Sequence, residues 1–372
     1  MATTLAVLVA GIVLVFAGSD TAFVAPLTPG WSKPLGKGVR LVGVEEYGRC
    51  ILFAGNGAIQ VVLPSGETMW SWPYSKISRY INPRAVAVSH DCDAIALVGD
   101  ASYKYAWIAQ RGGKAVSIPF TVTPTEAAFD RTGQLVAIGT YGGALHLYAR
   151  SGDLQWTRDA MVAIVDQLDF TDDNQRVVFK GWGGAGVVSV AGHVEWSGLS
   201  NRLAASQDLS TFVFSNEPNH GPGLPQIVVT DASRTTLWSR WAQLDTFISS
   251  SGHRVLAGVD ANQAKQERDF FGESQEAIVQ LLDRDGHVVA SYSEYVAPLA
   301  LSDDGTRAWL RGADHLACVD DRGEVLARID VEIASNSRAV VSRDFSQVLV
   351  VRDRDLDPVS VERYEVPKPC RP

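Results

Sequence analysis

The stretch that decides the fold is residues 125–156, TEAAFDRTGQLVAIGTYGGALHLYARSGDLQW. It reads as four short strands, at residues 125–129, 135–139 and 144–148 and from Leu154 onward. A tight polar turn follows the first strand and a glycine-containing turn follows the third, as in antiparallel hairpins. Four antiparallel strands in roughly 40 residues are the unit of a β-propeller blade.

The same unit recurs along the chain. Eight tight turns separate paired apolar segments, and the fourth residues of successive turns lie 35 to 53 residues apart. The eight turns are residues 45–48, 89–92, 130–133, 171–174, 206–209, 249–252, 302–305 and 342–345. We therefore predict an all-β chain folded as a β-propeller of eight blades, with seven as the alternative if one irregular unit is misread.

The two ends of the repeat region complement each other. The last unit ends one strand short at Val366, and residues 30–35 resemble an outer strand. Joined together, the two pieces have the length of one repeat. We expect an N-terminal strand to close the last blade, which hides edges that an open sheet would expose. Residues 20–372 then form a single propeller domain.

A second pattern ends several blades. Residues 66–70, 152–156 and 192–196 read G-x-x-x-W, while 286–290 and 323–327 keep the glycine and replace Trp by Ala. Glycine supplies the positive φ of a tight hairpin turn. The tryptophan, with its large flat side chain, is expected to cover the contact between blades.

This G-x-x-x-W ending resembles the repeat of quinoprotein-like propellers, which carry pyrroloquinoline-quinone-type repeats. Turns such as residues 302–305 (SDDG) also look like those of WD40-like propellers. The resemblance covers about residues 30–366 and implies the propeller architecture. Quinone-dependent members have vicinal cysteines beside the cofactor, and this sequence has no Cys-Cys pair. We therefore predict no quinone cofactor.

The N-terminus differs from the rest of the chain. Residues 5–18, LAVLVAGIVLVFAG, carry no charge and lead into small residues suited to signal peptidase. The apolar run is shorter than the ~20 residues of a membrane span. We expect residues 1–19 to be a cleaved signal peptide; the alternative is an uncleaved membrane anchor extending through Val24. Either one predicts an extracytoplasmic protein, whether periplasmic, secreted or at the cell surface.

Four cysteines fit an oxidising compartment. None forms a CxxC motif, so zinc, haem and thioredoxin-like sites have no support. Cys50 follows the first tight turn and Cys92 lies in the second, so a disulfide between neighbouring blades is one of the pairings that the sequence allows. A Cys318–Cys370 disulfide would tie the C-terminal tail to the seventh blade. Buried free thiols are the alternative.

Charge limits the class of partner. The chain has a formal net charge of −9, a pI near 5.3 and no run of Lys and Arg. Phosphate binding needs a basic face, so nucleic acid is not expected as a partner. Membrane contact is expected only through the N-terminal segment if it stays uncleaved.

Loop length distinguishes the two faces of the predicted propeller. Turns after first and third strands are tight, whereas the longer segments follow second strands and therefore share one face. The longer segments are residues 99–105, 181–186, 216–225, 260–276 and 352–358. Repeat proteins concentrate binding on the face that carries insertions. We predict a non-enzymatic scaffold or recognition module that binds a protein partner or a small ligand there.

Candidate partner contacts lie in these segments, because exposed aromatic and charged side chains in insertions are typical of binding surfaces. They are Tyr103, Trp182, His220, Arg268, Phe270 and Phe271. For Phe270 and Phe271 the alternative is that both rings fold back and cap their own blade.

A candidate metal site lies in the last segment. Asp353, Asp355 and Asp357 alternate like the start of a calcium loop, but Pro358 stands where the glycine belongs and no Glu follows at the required spacing. A calcium site and a polar loop salt-bridged by neighbouring arginines both remain open.

The sequence contains no HExxH, GxSxG or phosphate-binding glycine loop. We predict no catalytic residue and no cofactor apart from the calcium alternative. Two other functions stay open: a membrane-anchored accessory subunit of a larger complex, and an enzyme with a site in the central funnel. Carboxylates or histidines converging around the axis on the face with the insertions would favour the enzyme.

Overall fold

The structure is a computed structural model. It describes residues 25–35, 39–55, 57–74, 85–99, 104–198, 202–216, 226–260, 277–331, 338–354 and 357–372. In these ranges the chain forms four-stranded antiparallel blades arranged as an eight-bladed propeller, which confirms the predicted fold class and blade number. The fifth and sixth blades are continuous, because one long strand is the outer strand of the fifth and the inner strand of the sixth.

Each blade places its first strand nearest the propeller axis. The first four blades are β2 (Arg40–Val44), β3 (Ile51–Gly55), β4 (Ala58–Val62), β5 (Thr68–Trp72); β6 (Ala85–Val88), β7 (Ala94–Val98), β8 (Tyr105–Gln110), β9 (Ala115–Pro119); β10 (Pro124–Phe129), β11 (Leu135–Thr140), β12 (Ala144–Ala149), β13 (Leu154–Asp159); and β14 (Val165–Phe170), β15 (Arg176–Gly181), β16 (Gly184–Ser189), β17 (Val194–Gly198).

The other four blades follow the same order. They are β18 (Arg202–Ala205), β19 (Thr211–Asn216), β20 (Gln226–Asp231), β21 (Thr236–Ile248); β21 again, β22 (Arg254–Asp260), β23 (Ala277–Asp283), β24 (Val288–Tyr292); β25 (Ala297–Leu301), β26 (Arg307–Arg311), β27 (His315–Asp320), β28 (Val325–Asp330); and β29 (Arg338–Val341), β30 (Gln347–Arg354), β31 (Asp357–Glu365), β1 (Trp31–Pro34).

The strand nearest the N-terminus closes the last blade. β1 pairs antiparallel with β31, with Trp31 opposite Arg363 and Pro34 opposite Ser360. The indole of Trp31 also donates a hydrogen bond to the carbonyl of Pro64 in the first blade. The predicted closure by an N-terminal strand is confirmed, and it leaves the eighth blade bonded to the first.

The tight turns share one backbone geometry. In residues 302–305 the hydroxyl of Ser302 donates to Asp304 at 2.6 Å and accepts the N–H of Arg307 at 2.9 Å. The fourth residue of every tight turn has a positive φ; these residues are Gly48, Cys92, Gly133, Asn174, Leu209, Gly252, Gly305 and Phe345. Only glycine takes this conformation without steric cost. Glycine therefore recurs at the fourth position of the turn because the backbone there needs a positive φ.

Outer-strand aromatic residues join four of the blades to the next blade by hydrogen bonds. Tryptophan indoles donate to carbonyls in turns of the following blade: Trp70 to Cys92 at 2.8 Å, Trp156 to Val190 at 2.8 Å and Trp238 to Arg284 at 2.9 Å. In the sixth blade, where the signature Trp is replaced by Ala, the hydroxyl of Tyr292 donates instead to the carbonyl of Asp320 at 3.0 Å. The interpretation of these tryptophans as inter-blade contacts is confirmed.

The core lies between neighbouring blades. Leu52 and Trp72 of the first blade, for example, pack in one buried cluster with Ile95 and Leu97 of the second. Alternate residues of every strand therefore face a neighbouring blade, and the burial of these apolar side chains supplies the main stabilisation of the ring.

Of the alternatives that the sequence left open for the cysteines, the structure has two disulfides and not free thiols. Cys50–Cys92 joins the first and second blades, and Cys318–Cys370 joins β27 to a short 3-10 helix at Lys368–Cys370. All four half-cystines are nearly inaccessible to solvent, and in the described part of the chain no cysteine is free.

Two predicted insertions are strand instead of loop. β15 runs to Gly181 and β16 starts at Gly184, so only Trp182 and Gly183 form the turn. A Cβ on Gly186 would lie 2.5 Å from the carbonyl oxygen of Trp196, which explains glycine inside this strand without a loop. Likewise β30 and β31 extend across the 352–358 segment and leave residues 355–356 between them.

The other three predicted insertions, and residues 1–24, lie mostly or wholly outside the described residues. The signal peptide or anchor at residues 1–19 therefore stays a prediction. Within the described ranges, no helix combines the length and the apolar character that crossing a membrane requires.

Candidate functional site

The strand order gives the propeller two faces with different loops. Connections between first and second strands and between third and fourth strands form the tight-turn face. Connections between second and third strands, together with the linkers between blades, form what we call the loop face. The candidate sites are a row of exposed apolar side chains on the loop face and a group of charged side chains around the axis on the tight-turn face.

Five large apolar side chains are exposed along the loop face of the second, third and fourth blades. Their exposed fractions are 45% for Tyr105, 38% for Val122, 44% for Tyr141, 75% for Met161 and 67% for Trp182. Tyr105 begins β8, Tyr141 and Trp182 lie in second-to-third strand turns, and the other two lie in the linkers between blades. We call these five residues the apolar arc. Aromatic residues and methionine are enriched at protein interfaces.

The backbone beneath the apolar arc is held by hydrogen bonds between three connections. The N–H of Ala160 donates to the carbonyl of Gly143 and the N–H of Gly142 to that of Ala163, both at 2.8 Å. The N–H of Ala163 donates to the carbonyl of Trp182 at 2.9 Å, and the N–H of Trp182 donates to Ile164 at 2.9 Å. The linker between the third and fourth blades is thus fixed on both sides.

Met161 is exposed because of its backbone conformation. Its φ is 57°, in the left-handed region, and its N–H donates to the Asp159 carboxylate at 2.8 Å. The flanking Ala160 and Val162 are buried, so the turn directs the thioether outward between two anchored residues. A non-glycine residue in this region costs about 1 kcal/mol, and such costs concentrate at functional positions.

We expect Gly143→Ala to destabilise the protein by about 3 kcal/mol and to disorganise the linker that carries Met161. A Cβ at Gly143 would lie 1.8 Å from the carbonyl oxygen of Val162, and the φ of +76° already disfavours a side chain. Gly142→Ala is the matched control: its φ is +89°, but no atom lies within 4 Å of the added Cβ. Only the backbone cost of about 1 kcal/mol applies there.

Chemical denaturation of both variants measures this difference. Equal losses of stability at Gly142 and Gly143 would contradict the close approach between the two connections.

Five of the eight tight turns contact one another through the side chains of their second residues. These residues are Glu46, Arg131, Asp172, Asp303 and Arg343. Arg343 binds Asp172 with two parallel hydrogen bonds of 2.7 and 2.6 Å. These two residues belong to the eighth and fourth blades, which are opposite in a ring of eight, so the pair crosses the axis.

Further ion pairs surround this central one. Arg343 also contacts Glu46 and, at 3.2 Å, Asp303, while Arg131 contacts Asp172 and lies 3.7 Å from Glu46. Two guanidinium groups thereby join turns of five blades. We call Glu46, Arg131, Asp169, Asp172, Asp303 and Arg343 the axial cluster; Asp169 lies on β14 beneath Asp172.

Backbone hydrogen bonds also join neighbouring turns. The N–H of Arg343 donates to the carbonyl of Glu46 at 2.8 Å, and that of Ser250 donates to Asp303 at 2.9 Å. Carboxylates thus converge around the axis on the tight-turn face, where two arginines pair with them. The enzyme alternative predicted such convergence on the other face.

Ionisation in the axial cluster is strongly perturbed. Burial, reinforced by the charge of Glu46, raises the pKa of Asp169 to about 6. Burial also raises the pKa of Asp172, against the lowering effect of Arg343 and Arg131. Burial opposes the charge of Arg343, but Glu46 outweighs this and raises the pKa of the guanidinium, so it stays charged.

Of the six residues predicted to contact a partner, Trp182 is described and belongs to the apolar arc. Tyr103, His220, Arg268, Phe270 and Phe271 lie outside the described residues, so their roles remain predictions. The sequence reasoning missed Tyr105, Val122, Tyr141 and Met161. For Val122 and Tyr141 a signal existed, namely a large apolar residue in a linker or turn between threonine or glycine neighbours; the local sequence around Tyr105 and Met161 carries no such signal.

The calcium hypothesis also remains a prediction. Asp355 and the side chains of Asp353 and Asp357 lie outside the described part of the chain; the backbone places Asp353 opposite Pro358 and Arg354 opposite Asp357 in a hairpin. Among the described residues, no three His, Cys, Asp or Glu side chains are grouped so that they could hold a metal ion.

Comparison with known proteins identifies the fold. No protein-family model matches the chain, and no curated protein sequence matches it. Among solved structures, the chain is similar to BamB from Moraxella catarrhalis, with a TM-score of 0.57 and 13% sequence identity over 91% of this chain and 99% of that chain. At this identity the similarity shows the propeller fold alone, in agreement with the predicted fold class.

Proposed function

We propose that this protein is an exported, non-enzymatic recognition module or scaffold that binds a protein partner through its loop face. The observation that carries the proposal is the apolar arc, where five large apolar side chains are exposed on consecutive connections of three blades. Large apolar side chains exposed on one face of a protein mark interaction sites when they lie together.

The geometry of the apolar arc suits side-chain recognition. The backbone N–H groups of Ala160, Ala163 and Trp182 already donate hydrogen bonds within the protein. They are therefore not available to pair with a strand of the partner, and recognition through side chains is favoured. The hydrogen-bonded connections hold Met161 and Trp182 in place before binding. Pre-organisation lowers the entropy lost on association, and Trp is among the residues that dominate binding energy.

The disulfides support the proposed location. Two buried disulfides suit an oxidising compartment, such as the bacterial periplasm or the exterior of a cell. The apolar segment at residues 5–18 supplies an export signal, either cleaved or kept as an anchor. The intact mass of the natively exported protein distinguishes the two: loss of residues 1–19 supports the secreted form, and a full-length mass in the membrane fraction supports an anchored subunit.

We expect Trp182→Ala combined with Met161→Ala to weaken partner binding at least tenfold, because truncation of a central aromatic contact costs about 2 kcal/mol or more. The partner is first trapped by a photo-crosslinking amino acid placed at Tyr141, and its affinity for the purified protein is then measured by titration. Leu154→Ala is the matched control, since Leu154 is 54% exposed but lies on the outer strand of the third blade.

The control variant should bind like the wild type. Wild-type affinity in the Trp182/Met161 double variant, or equal losses in the control, would refute the apolar arc as the binding surface.

A further inference from the structure

The sulfur-containing side chains differ widely in exposure. All four cysteines form nearly inaccessible disulfides, and no described cysteine is a free thiol. Of the three methionines in the sequence, Met1 lies outside the described residues and Met69 is partly buried against the core between the first and second blades. Met161 is 75% exposed. Among the described residues, Met161 is therefore the sulfur-containing side chain that an oxidant in the solvent reaches most easily.

The fold holds the Met161 thioether in a defined place. The left-handed backbone of this residue is capped by the Asp159 carboxylate, which accepts its N–H at 2.8 Å. Its Sδ lies 4.0 Å from the hydroxyl of Ser197 at the end of β17, a weak contact in which sulfur is the acceptor. Protein therefore covers one side of the sulfur, and the exposure of the side chain leaves the other side to solvent. An oxidant reaches the sulfur from the side that faces away from Ser197.

A peroxide oxidises such a thioether in one balanced step. A lone pair of Sδ attacks one peroxide oxygen, the S–O bond forms as the O–O bond breaks, and the other oxygen leaves as water. The sulfur loses two electrons, which the peroxide accepts. The product is methionine sulfoxide, whose oxygen is polar where the thioether was apolar. Methionine sulfoxide reductases reverse the step at the expense of two thiols, which become a disulfide, and the oxygen leaves as water.

We propose that Met161 is a reversible oxidation site of the apolar arc, and that its conversion to the sulfoxide by a peroxide weakens binding of the partner. The consequence for binding rests on the proposed function, whereas the site of oxidation does not. A partner that covers the apolar arc removes water from Met161 and from the neighbouring Trp182. A sulfoxide oxygen on the solvent side of Met161 is then buried without the water that satisfied it, which opposes association.

Peptide mass mapping of the full chain, after brief exposure to dilute hydrogen peroxide, tests the site of oxidation. We expect sulfoxide to form at Met161 at least about tenfold faster than at Met69, because susceptibility follows exposure. Equal rates at the two residues, or faster oxidation of Met69, would overturn the proposal.

The photo-crosslinking amino acid at Tyr141 tests the consequence for binding. The purified protein is oxidised, the peroxide is destroyed with catalase, and the protein is mixed with the extract in which the untreated protein forms its crosslinked adduct. We expect the adduct yield to fall at least about fivefold, the lower value for burying a polar group without a hydrogen-bond partner. Treatment with methionine sulfoxide reductases should restore the yield.

Two variants identify the sulfur that is responsible. Met161→Leu has no oxidisable sulfur in the apolar arc, so its adduct yield should be the same before and after peroxide, even if its starting yield differs from the wild type. Met69→Leu keeps Met161 and should respond to peroxide like the wild type. The proposal is wrong if the wild-type yield is unaffected by peroxide, if the response persists in Met161→Leu, or if the reductases fail to reverse it.

Failure of the proposed function has a different signature. The untreated wild type would then form no adduct at Tyr141 in any extract, which removes the effect on binding. Peptide mapping of Met161 and Met69 decides the site of oxidation in that case as well.

Discussion

Replacing Cys318 and Cys370 together by alanine is expected to lower the free energy of unfolding by about 4 kcal/mol, the chain-entropy value for a loop of this length. The two cysteines are 52 residues apart in sequence, and their Cα atoms are 6.2 Å apart. The bond fixes the C-terminal 3-10 helix against β27, where Cys370 packs in the same buried cluster as Trp309 and Tyr364. Without it the tail must hold its place by packing alone.

Chemical denaturation of the variant and of the wild type, with and without a reductant, measures this effect. We expect the fully reduced wild type to unfold at a lower denaturant concentration than the variant, because reduction also breaks the Cys50–Cys92 disulfide that the variant keeps. The Cys50/Cys92 double alanine variant serves as a comparison, since its 42-residue separation predicts a similar loss. A change below 1 kcal/mol in the Cys318/Cys370 variant would mean that the bond contributes little to closing the ring.

Arg343→Met is expected to destabilise the protein by about 2 kcal/mol, between the values for exposed and for fully buried ion pairs, because the Arg343 and Asp172 side chains are partly buried. The guanidinium is only 21% exposed, and its removal leaves Glu46, Asp172 and Asp303 facing one another with Arg131 as their remaining partner. Methionine keeps the length and most of the apolar stem, so the loss reports charge and hydrogen bonding more than packing.

Arg111→Met provides the control for this second prediction. Arg111 pairs with Asp93 at 3.5 Å, and both side chains are about half exposed, so its replacement should cost less than about 0.5 kcal/mol. A double-mutant cycle of Arg343→Met with Asp172→Asn then measures the coupling across the axis. A coupling energy indistinguishable from zero would contradict the cross-axis pair.

The propeller could be predicted from the sequence because its determinants are local. A hydroxyl or carboxylate stands at the first position of the tight turn in every blade, and Gly or Asn, which tolerate a positive φ, stands at the fourth position in five of the eight. The Gly–Trp ending is local as well. Closure by β1 followed from counting, since the last unit lacked one strand and the N-terminal region supplied it.

The axial cluster could not be predicted in the same way. Residues such as Glu46, Asp172 and Arg343 occupy turn positions where any polar side chain is acceptable, so nothing in their local sequence distinguishes them. Only the ring geometry brings the second residues of opposite turns together. Their pairing depends on contacts between blades that are far apart in sequence.

On the loop face, the exposure of Trp182 agrees with the sequence reasoning, but the loop predicted around it is wrong. Sequence reasoning read the glycine-rich segment 181–186 as a loop, whereas Gly181, Gly184 and Gly186 lie in strands that approach their neighbours too closely for a side chain. Trp182 was nevertheless a correct choice for an exposed residue, because the two-residue turn directs it outward. The exposure of Met161 depends on a left-handed backbone conformation that no propensity reveals.

Pairing of β1 with β31 has a consequence for biosynthesis. The first and the last strands of the described chain are neighbours in one sheet, so a ribosome makes Trp31 long before its partner Arg363 exists. Such distant pairing is slow, and until it forms, the unfinished blade exposes a strand edge to other nascent chains. Ring closure therefore has to wait until β31 has been synthesised, and until then the open blade is exposed to aggregation.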